Sequence, residues 1–187
     1  MLMATTVNAQ KTELEKKVDS YMSSYVKNGD FSGNVLIVKG GKILFERSYG
    51  QANYELGVPI KRDTKFRIAS LSKTFTAAAI VLLQNQGRLN YADKLSKYIP
   101  DFKQADSISI YHLLLHQSGV VDINYDQYAL DKLSLNDIIN TVKNTTPYFK
   151  PGTQFRYSNT GYLLLAAIIE KVSGENYHSF LKKNIFE

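Results

Sequence analysis

The sequence predicts an α+β fold, an antiparallel β-hairpin followed by a mostly helical region, and three observations lead there. Two β-rich runs, Asn34-Val35-Leu36-Ile37-Val38-Lys39 and Lys42-Ile43-Leu44-Phe45-Glu46-Arg47, are joined by Gly40-Gly41. A Gly-Gly link reaches the positive φ angles that a tight hairpin turn requires. An Ala- and Leu-rich run over 70–86 stops at Gly87, as a helix does. Helical patterns then dominate the chain after residue 134, and no other run reads as a convincing strand.

The elements follow in order. Over 11–27, Leu14, Val18, Tyr21, Met22 and Tyr25 recur at helical spacing among charged residues. Asp30-Phe31-Ser32-Gly33 ends that pattern, the hairpin comes next, and 49–65 reads as irregular. In 70–86, Leu71, Phe75, Ala78, Ala79, Ile80, Leu82 and Leu83 cover most of the circumference, which predicts a buried helix. Shorter helices are expected over 112–116 and 135–143, the latter capped by Ser134 with Asp137 three residues on. Pro151-Gly152 suits the middle of a type II turn. Helices at about 160–172 and 176–183, separated by Gly174, complete the pattern.

Composition narrows the function classes. The 187 residues are 44% hydrophobic and 21% charged, ordinary for a globular domain with one core. Cysteine is absent, so disulfides, thiolate metal sites and a cysteine nucleophile are excluded together. The net charge of +6 is dispersed, without the basic stripe or module that nucleic-acid binding needs. No apolar run approaches the roughly 20 residues that span a bilayer. Residues 1–10, with Val7-Asn8-Ala9 before Gln10, read as the remnant of a secretory signal whose basic beginning is missing. Residues 11–187 then form the domain, and the protein is expected to be exported, to a periplasmic or extracellular location. Nothing in the sequence specifies an oligomeric state.

Two short segments carry chemistry. Ser70-Leu71-Ser72-Lys73 sets a hydroxyl and an amine three residues apart at the start of the 70–86 helix, so both leave one face. First-turn N–H groups are unpaired and carry partial positive charge. A serine there gains a donor for an oxyanion, and a desolvated lysine beside it can accept a proton. The same four residues also fit a helix cap followed by a solvated lysine. Against that, a first-turn lysine opposes the helix dipole, and the rest of the helix is apolar. Tyr157-Ser158-Asn159 supplies a phenol, with a reference pKa of about 10, and an amide able to orient a lysine. It also fits a turn followed by an Asn helix cap. His112 and His116 could share a helix face at i and i+4, but no Glu lies between them as in zinc proteases. They are read as structural, and His178 has no evident partner.

These segments together resemble one family. Phe66-Arg67-Ile68-Ala69-Ser70-Leu71-Ser72-Lys73 is similar to the nucleophile segment of serine β-lactamases and penicillin-binding peptidases. His112-Leu113-Leu114-Leu115-His116-Gln117-Ser118-Gly119 resembles a His-Leu-Leu-x-His-x-Ser-Gly segment of its class C β-lactamase, D-alanyl carboxypeptidase and esterase branch. The run from Pro151-Gly152 to Tyr157-Ser158-Asn159 resembles that branch's Pro-Gly-x-x-x-x-Tyr-Ser-Asn segment, and its offset of 87 residues from Ser70 is also similar. The resemblance covers about 31–187.

The resemblance implies a β-lactamase/transpeptidase-like fold and a serine hydrolase working through an acyl-enzyme. Its substrate would be a small molecule or a peptidoglycan-derived peptide: a β-lactam, a D-alanyl peptide or a small ester. Ser70 would be acylated, Lys73 and Tyr157 would share the proton transfer, and Asn159 would position substrate. No metal or organic cofactor is implied. The family's third motif, Lys-Thr-Gly or His-x-Gly, has no counterpart after Tyr157. The sequence therefore reads as truncated before the C-terminal strands, and the 187-residue chain alone is expected to be inactive. A non-catalytic binding or sensing module of the same fold is the alternative.

Overall fold

A computed structural model describes residues 12–123 and 134–187. The leader-like segment 1–10 lies outside the described residues. Contacts gather into two compact units, the described residues up to Arg67 and Ile68–Glu187.

The first unit opens with α1 (Glu13–Lys27). Thr12 caps it reciprocally with Glu15: the Thr12 hydroxyl accepts the Glu15 N–H at 3.2 Å, and the Glu15 carboxylate accepts the Thr12 N–H. Two of the helix's open donors are thereby satisfied. Its half-buried stripe includes Leu14, Val18, Met22 and Val26, whereas Tyr21 and Tyr25 are exposed and lie ring to ring. Strands β1 (Gly33–Lys39) and β2 (Lys42–Tyr49) pair antiparallel with Lys39 opposite Lys42, so Gly40-Gly41 forms the two-residue turn. A bulge leaves Leu44 between the Ile37–Phe45 and Val38–Ile43 pairs. Asp19 of α1 holds Arg47 and accepts the Tyr49 hydroxyl at 2.8 Å. Burial, helped by Asp19, pushes the Tyr49 phenol up to about 12.

The stretch 49–65 is not wholly irregular. β3 (Gln51–Asn53) and β4 (Val58–Pro59) form a second small antiparallel pair. Strands this short, one ending in proline, leave no alternation in a sequence to read.

The second unit is helical. Its core gathers α2 (Ser72–Asn85), α3 (Ile110–Leu114), α4 (Leu135–Val142), α5 (Asn159–Ser173) and α6 (Tyr177–Leu181). Helices α2, α3, α4 and α6 all pack against α5. Ile80 and Leu83, Ile110 and Leu113, and Leu164, Leu165, Ile168 and Ile169 are buried there completely. The Ser134 cap of α4 is present, with its hydroxyl accepting the Asp137 N–H at 3.2 Å. A Thr153 N–H to Lys150 carbonyl bond of 3.1 Å closes the turn around Pro151-Gly152.

Two expectations for the nucleophile helix need correction. Ser70 does not lie in the α-helix but in a single 3-10 turn, Ala69–Leu71, ahead of it. Ala69 sits at φ 45°, a left-handed conformation from which no right-handed helix can continue backwards. The helix is also not buried all round. Thr76, Ala79, Ile80 and Leu83 face inward, while Val81 is 43% exposed and Leu71, in the turn ahead of the helix, is 68% exposed. The apolar pattern records side-chain type, whereas burial requires a packed neighbour, and α5 covers only one face.

The helix expected at 112–116 starts two residues earlier, because Ser109 caps it by accepting the His112 N–H at 3.2 Å. It ends before His116, which sits at φ 56°. His112 and His116 therefore do not share a helical face.

Candidate active site

The site forms where the start of α2 meets the start of α5. Ser158 caps α5, its hydroxyl accepting the Gly161 N–H at 3.0 Å and donating to Asp122 Oδ1 at 2.8 Å. Asp122 also accepts the N–H groups of Asn159 (3.1 Å) and Thr160 (2.8 Å). The open donors of the first turn are thus met by Ser158 and Asp122. A carboxylate there also faces the positive end of the helix dipole. Asn159 is then the first helical residue rather than the cap, and its amide is free for another partner. That partner is Lys73, whose Nζ donates to Asn159 Oδ1 at 2.6 Å.

Ser70 Oγ accepts two hydrogen bonds, from the Tyr157 hydroxyl at 2.8 Å and from Lys73 Nζ at 3.4 Å. Lys73 Nζ also lies 4.9 Å from the centre of the Tyr157 ring and 5.6 Å from that of Tyr162. The Lys73 ammonium, and after it the Ser70 hydroxyl, holds the Tyr157 phenol below its ordinary value by favouring the phenolate. All four residues singled out in the sequence, Ser70, Lys73, Tyr157 and Asn159, are therefore in one hydrogen-bonded group. Ser70 is exposed and Lys73 is half-buried, so a substrate can reach the hydroxyl while the amine stays partly shielded.

Three residues of this arrangement escape sequence reasoning. Asp122 has no motif to mark it, because its bonds are to residues 36 to 38 positions away. His116 lies in a segment that the resemblance marks, but its role comes from Ser158, whose N–H its Nδ1 accepts at 3.1 Å. Its ring stacks on Tyr157, with centroids 4.5 Å apart and planes at 29°. Tyr162 follows Asn159 by almost one helical turn and anchors its hydroxyl on the Leu114 carbonyl at 3.1 Å. Burial, and then the Lys73 charge, pushes the His116 imidazole below its usual range.

The other histidines lie elsewhere. His112 Nδ1 accepts the Ser109 N–H at 3.3 Å, completing the cap of α3. His178 lines a groove that starts at Lys73 and Asn159 and holds about 450 Å³. Thr76 and Tyr177 share a 2.6 Å hydroxyl contact in that groove, and Glu170 accepts the Tyr177 N–H at 2.8 Å. Ser70 is not among its lining residues. Among the described residues no helix is long and apolar enough to cross a membrane.

Comparison with known proteins gives a consistent picture. The family model described as Beta-lactamase matches residues 15–187. A penicillin-binding protein of Bacillus subtilis (strain 168) is 39% identical over 185 residues, which is 94% of this chain and 40% of that protein. The crystal structure of a penicillin-binding protein from Bacillus halodurans superposes with a TM-score of 0.78 at 32% identity, covering 88% of this chain and 54% of that one. The D-amino acid amidase of Ochrobactrum anthropi SV3 does so with a TM-score of 0.80 at 25% identity, covering 91% and 48%. The chain thus spans about half the length or less of the proteins it matches.

Proposed function

The chain belongs to the Beta-lactamase family, and from that premise we propose that its protein is a serine hydrolase that acts through an acyl-enzyme on Ser70. The observation that carries the proposal is the shared position of Ser70 Oγ, within hydrogen-bonding reach of both Tyr157 and Lys73. A serine hydroxyl becomes a useful nucleophile only when a neighbouring group can take its proton.

In this reading Ser70 Oγ attacks the substrate carbonyl carbon and its proton passes to the Lys73–Tyr157 pair. Tyr157 is the nearer of the two, and its lowered proton affinity lets the phenolate form be reached close to Lys73. The carbon–nitrogen or carbon–oxygen bond breaks, and the same pair returns the proton to the departing amine or alcohol. Water then attacks the Ser70 ester, releasing the acid and restoring the hydroxyl. Asn159 holds Lys73 in place through the 2.6 Å bond and lies where its amide can also meet a substrate carbonyl. The Ser70 N–H, in the turn that opens the helix, supplies one donor for the tetrahedral oxyanion, a contribution of the kind that often dominates acyl transfer.

The substrate is an amide or ester of small size: a β-lactam, a D-alanyl peptide derived from peptidoglycan, or a simple ester. A relative named as a D-amino acid amidase supports an amide with a D-configured centre, and relatives named as penicillin-binding proteins support a β-lactam. Such substrates would place the protein outside the cytoplasmic membrane, which agrees with the signal-like residues 1–10. The test is covalent labelling with a fluorescent penicillin or an activated phosphonate ester, followed by peptide mass spectrometry. The expected adduct is on Ser70 and is lost in Ser70→Ala. An adduct that persists in that variant overturns the assignment.

A further inference from the structure

His116 grips the segment that carries Tyr157 at three consecutive residues. Its carbonyl accepts the Arg156 N–H at 2.9 Å. Its ring lies against the Tyr157 ring, with centroids 4.5 Å apart. Its Nδ1 accepts the Ser158 N–H at 3.1 Å. The phenol at the centre of this grip is the one that reaches Ser70 Oγ at 2.8 Å. An extended segment ahead of a helix has no ladder of its own to fix it, so these contacts decide where the Tyr157 hydroxyl stands.

Only one form of the imidazole makes all three contacts. A ring nitrogen that accepts an N–H cannot also carry a proton, so the bond to Ser158 requires the neutral ring protonated on Nε2. Protonation would set Nδ1–H against the Ser158 N–H. We propose that neutral His116 is the positioning residue for Tyr157, and that its protonation frees the Tyr157 hydroxyl from Ser70 and shuts off acylation at acid pH. The proposal rests on the reading of Ser70 as the nucleophile.

The groups that face the ring bear on where this switch lies. Lys73 of α2 and Asp122, in the loop after α3, act in opposite senses, Lys73 against the imidazolium and Asp122 for it. Tyr157 stacks on the ring, Tyr162 lies tilted against it with centroids 5.0 Å apart, and Phe155 meets it edge-on with centroids 6.0 Å apart. Burial is the larger influence and Lys73 adds to it, so the neutral ring holds through neutral pH and the change falls below the ordinary value of 6.5.

Two variants separate the contacts. In His116→Asn, Oδ1 stands close to where Nδ1 stood, cannot titrate, and asparagine tolerates the left-handed φ of 56°. His116→Phe keeps a ring to stack but loses the acceptor. Phosphonate labelling of Ser70 is measured from about pH 4.5 to 8, across the range in which a histidine titrates. In the wild type the rate should fall about tenfold per pH unit below the His116 midpoint. His116→Asn, which keeps the acceptor but not the ring, should be slower than wild type at neutral pH and lose the acid limb, its rate staying flat where that of the wild type falls. His116→Phe should be slower by about tenfold or more throughout.

In parallel, the wild-type chain labelled with nitrogen-15 in histidine and carbon-13 in tyrosine is titrated by NMR. This arm needs neither activity nor a variant. Expected are a bare Nδ1 at neutral pH and Ser158 amide and Tyr157 ring signals that move with the His116 midpoint. A protonated Nδ1 at neutral pH, Tyr157 signals indifferent to His116, or an acid limb unchanged in His116→Asn overturns the proposal. Labelling of the full-length protein that survives Ser70→Ala, or a full-length wild type that never labels, instead removes the nucleophile reading and leaves the NMR arm to decide the His116–Tyr157 coupling.

Discussion

Replacing Gly119 by alanine tests how tightly the site's supporting backbone is locked. Gly119 has φ 72°, and a Cβ built on it would lie 2.4 Å from the Phe149 carbonyl oxygen and 3.3 Å from the Phe149 N. Its own carbonyl accepts the Tyr148 N–H at 2.8 Å, and Gln117 and His116 accept from Gly152 and Arg156 at 2.8 and 2.9 Å. The Phe149 backbone therefore cannot move aside without straining several bonds. Gly174, the left-handed cap of α5, gives the control, since it has nearly the same φ of 73° but nothing within 4 Å of its Cβ position. There the left-handed conformation costs alanine about 1 kcal/mol, partly offset by roughly 0.5 kcal/mol of lost freedom in the unfolded chain. At Gly119 the same terms apply, and overpacking against backbone adds about 2–3 kcal/mol. Urea unfolding followed by far-UV circular dichroism, with m unchanged, should place Gly119→Ala about 2–3 kcal/mol below Gly174→Ala. A gap smaller than about 1 kcal/mol would show that the 117–119 and 148–152 strands of chain yield to the new methyl group, and the rigidity argued for the site would fail.

Three further outcomes follow from the same geometry. Tyr157→Phe removes the hydroxyl at 2.8 Å from Ser70 but leaves the ring on His116; Ser70 labelling should slow by about a hundredfold or more with little change in unfolding midpoint, and unchanged labelling would refute the proton-transfer role. Asp122→Ala deprives Ser158, Asn159 and Thr160 of their shared acceptor; a loss of about 2–3 kcal/mol is expected, measured by denaturant unfolding, with Asp122→Asn recovering part of it. His112 and His116 are both held below 6.5, burial being the main cause and a nearby lysine, Lys94 or Lys73, the next. Because the unfolded chain then binds more protons than the folded one, stability is full above about pH 6.5 and falls as the pH drops through the depressed folded values. Denaturation midpoints across that window should decline toward acid, and less steeply in His116→Asn.

Some of this architecture was set by local sequence. Gly40-Gly41 determines the β1–β2 turn because few other dipeptides reach its φ values, and Ser134 with Asp137 caps α4 through contacts three residues apart. The Ser70–Lys73 pairing is likewise local, since three residues of helical or 3-10 backbone bring their side chains to one side. Tertiary structure decided the rest. Tyr157 reaches Ser70 across 87 positions and Asn159 reaches Lys73 across 86, distances in sequence that only the packing of α5 on α2 can close. Asp122 and His116 gain their roles in the same way, by meeting backbone N–H groups that α5 leaves open or that precede it. The partial burial of α2 is also tertiary, because an apolar pattern specifies which side chains would leave water but not which neighbour receives them. Hydrogen bonds and turns within a few residues are dictated by backbone geometry that each residue type constrains directly. Contacts between distant segments depend on the whole core that brings the segments together, and no short stretch of sequence carries that information.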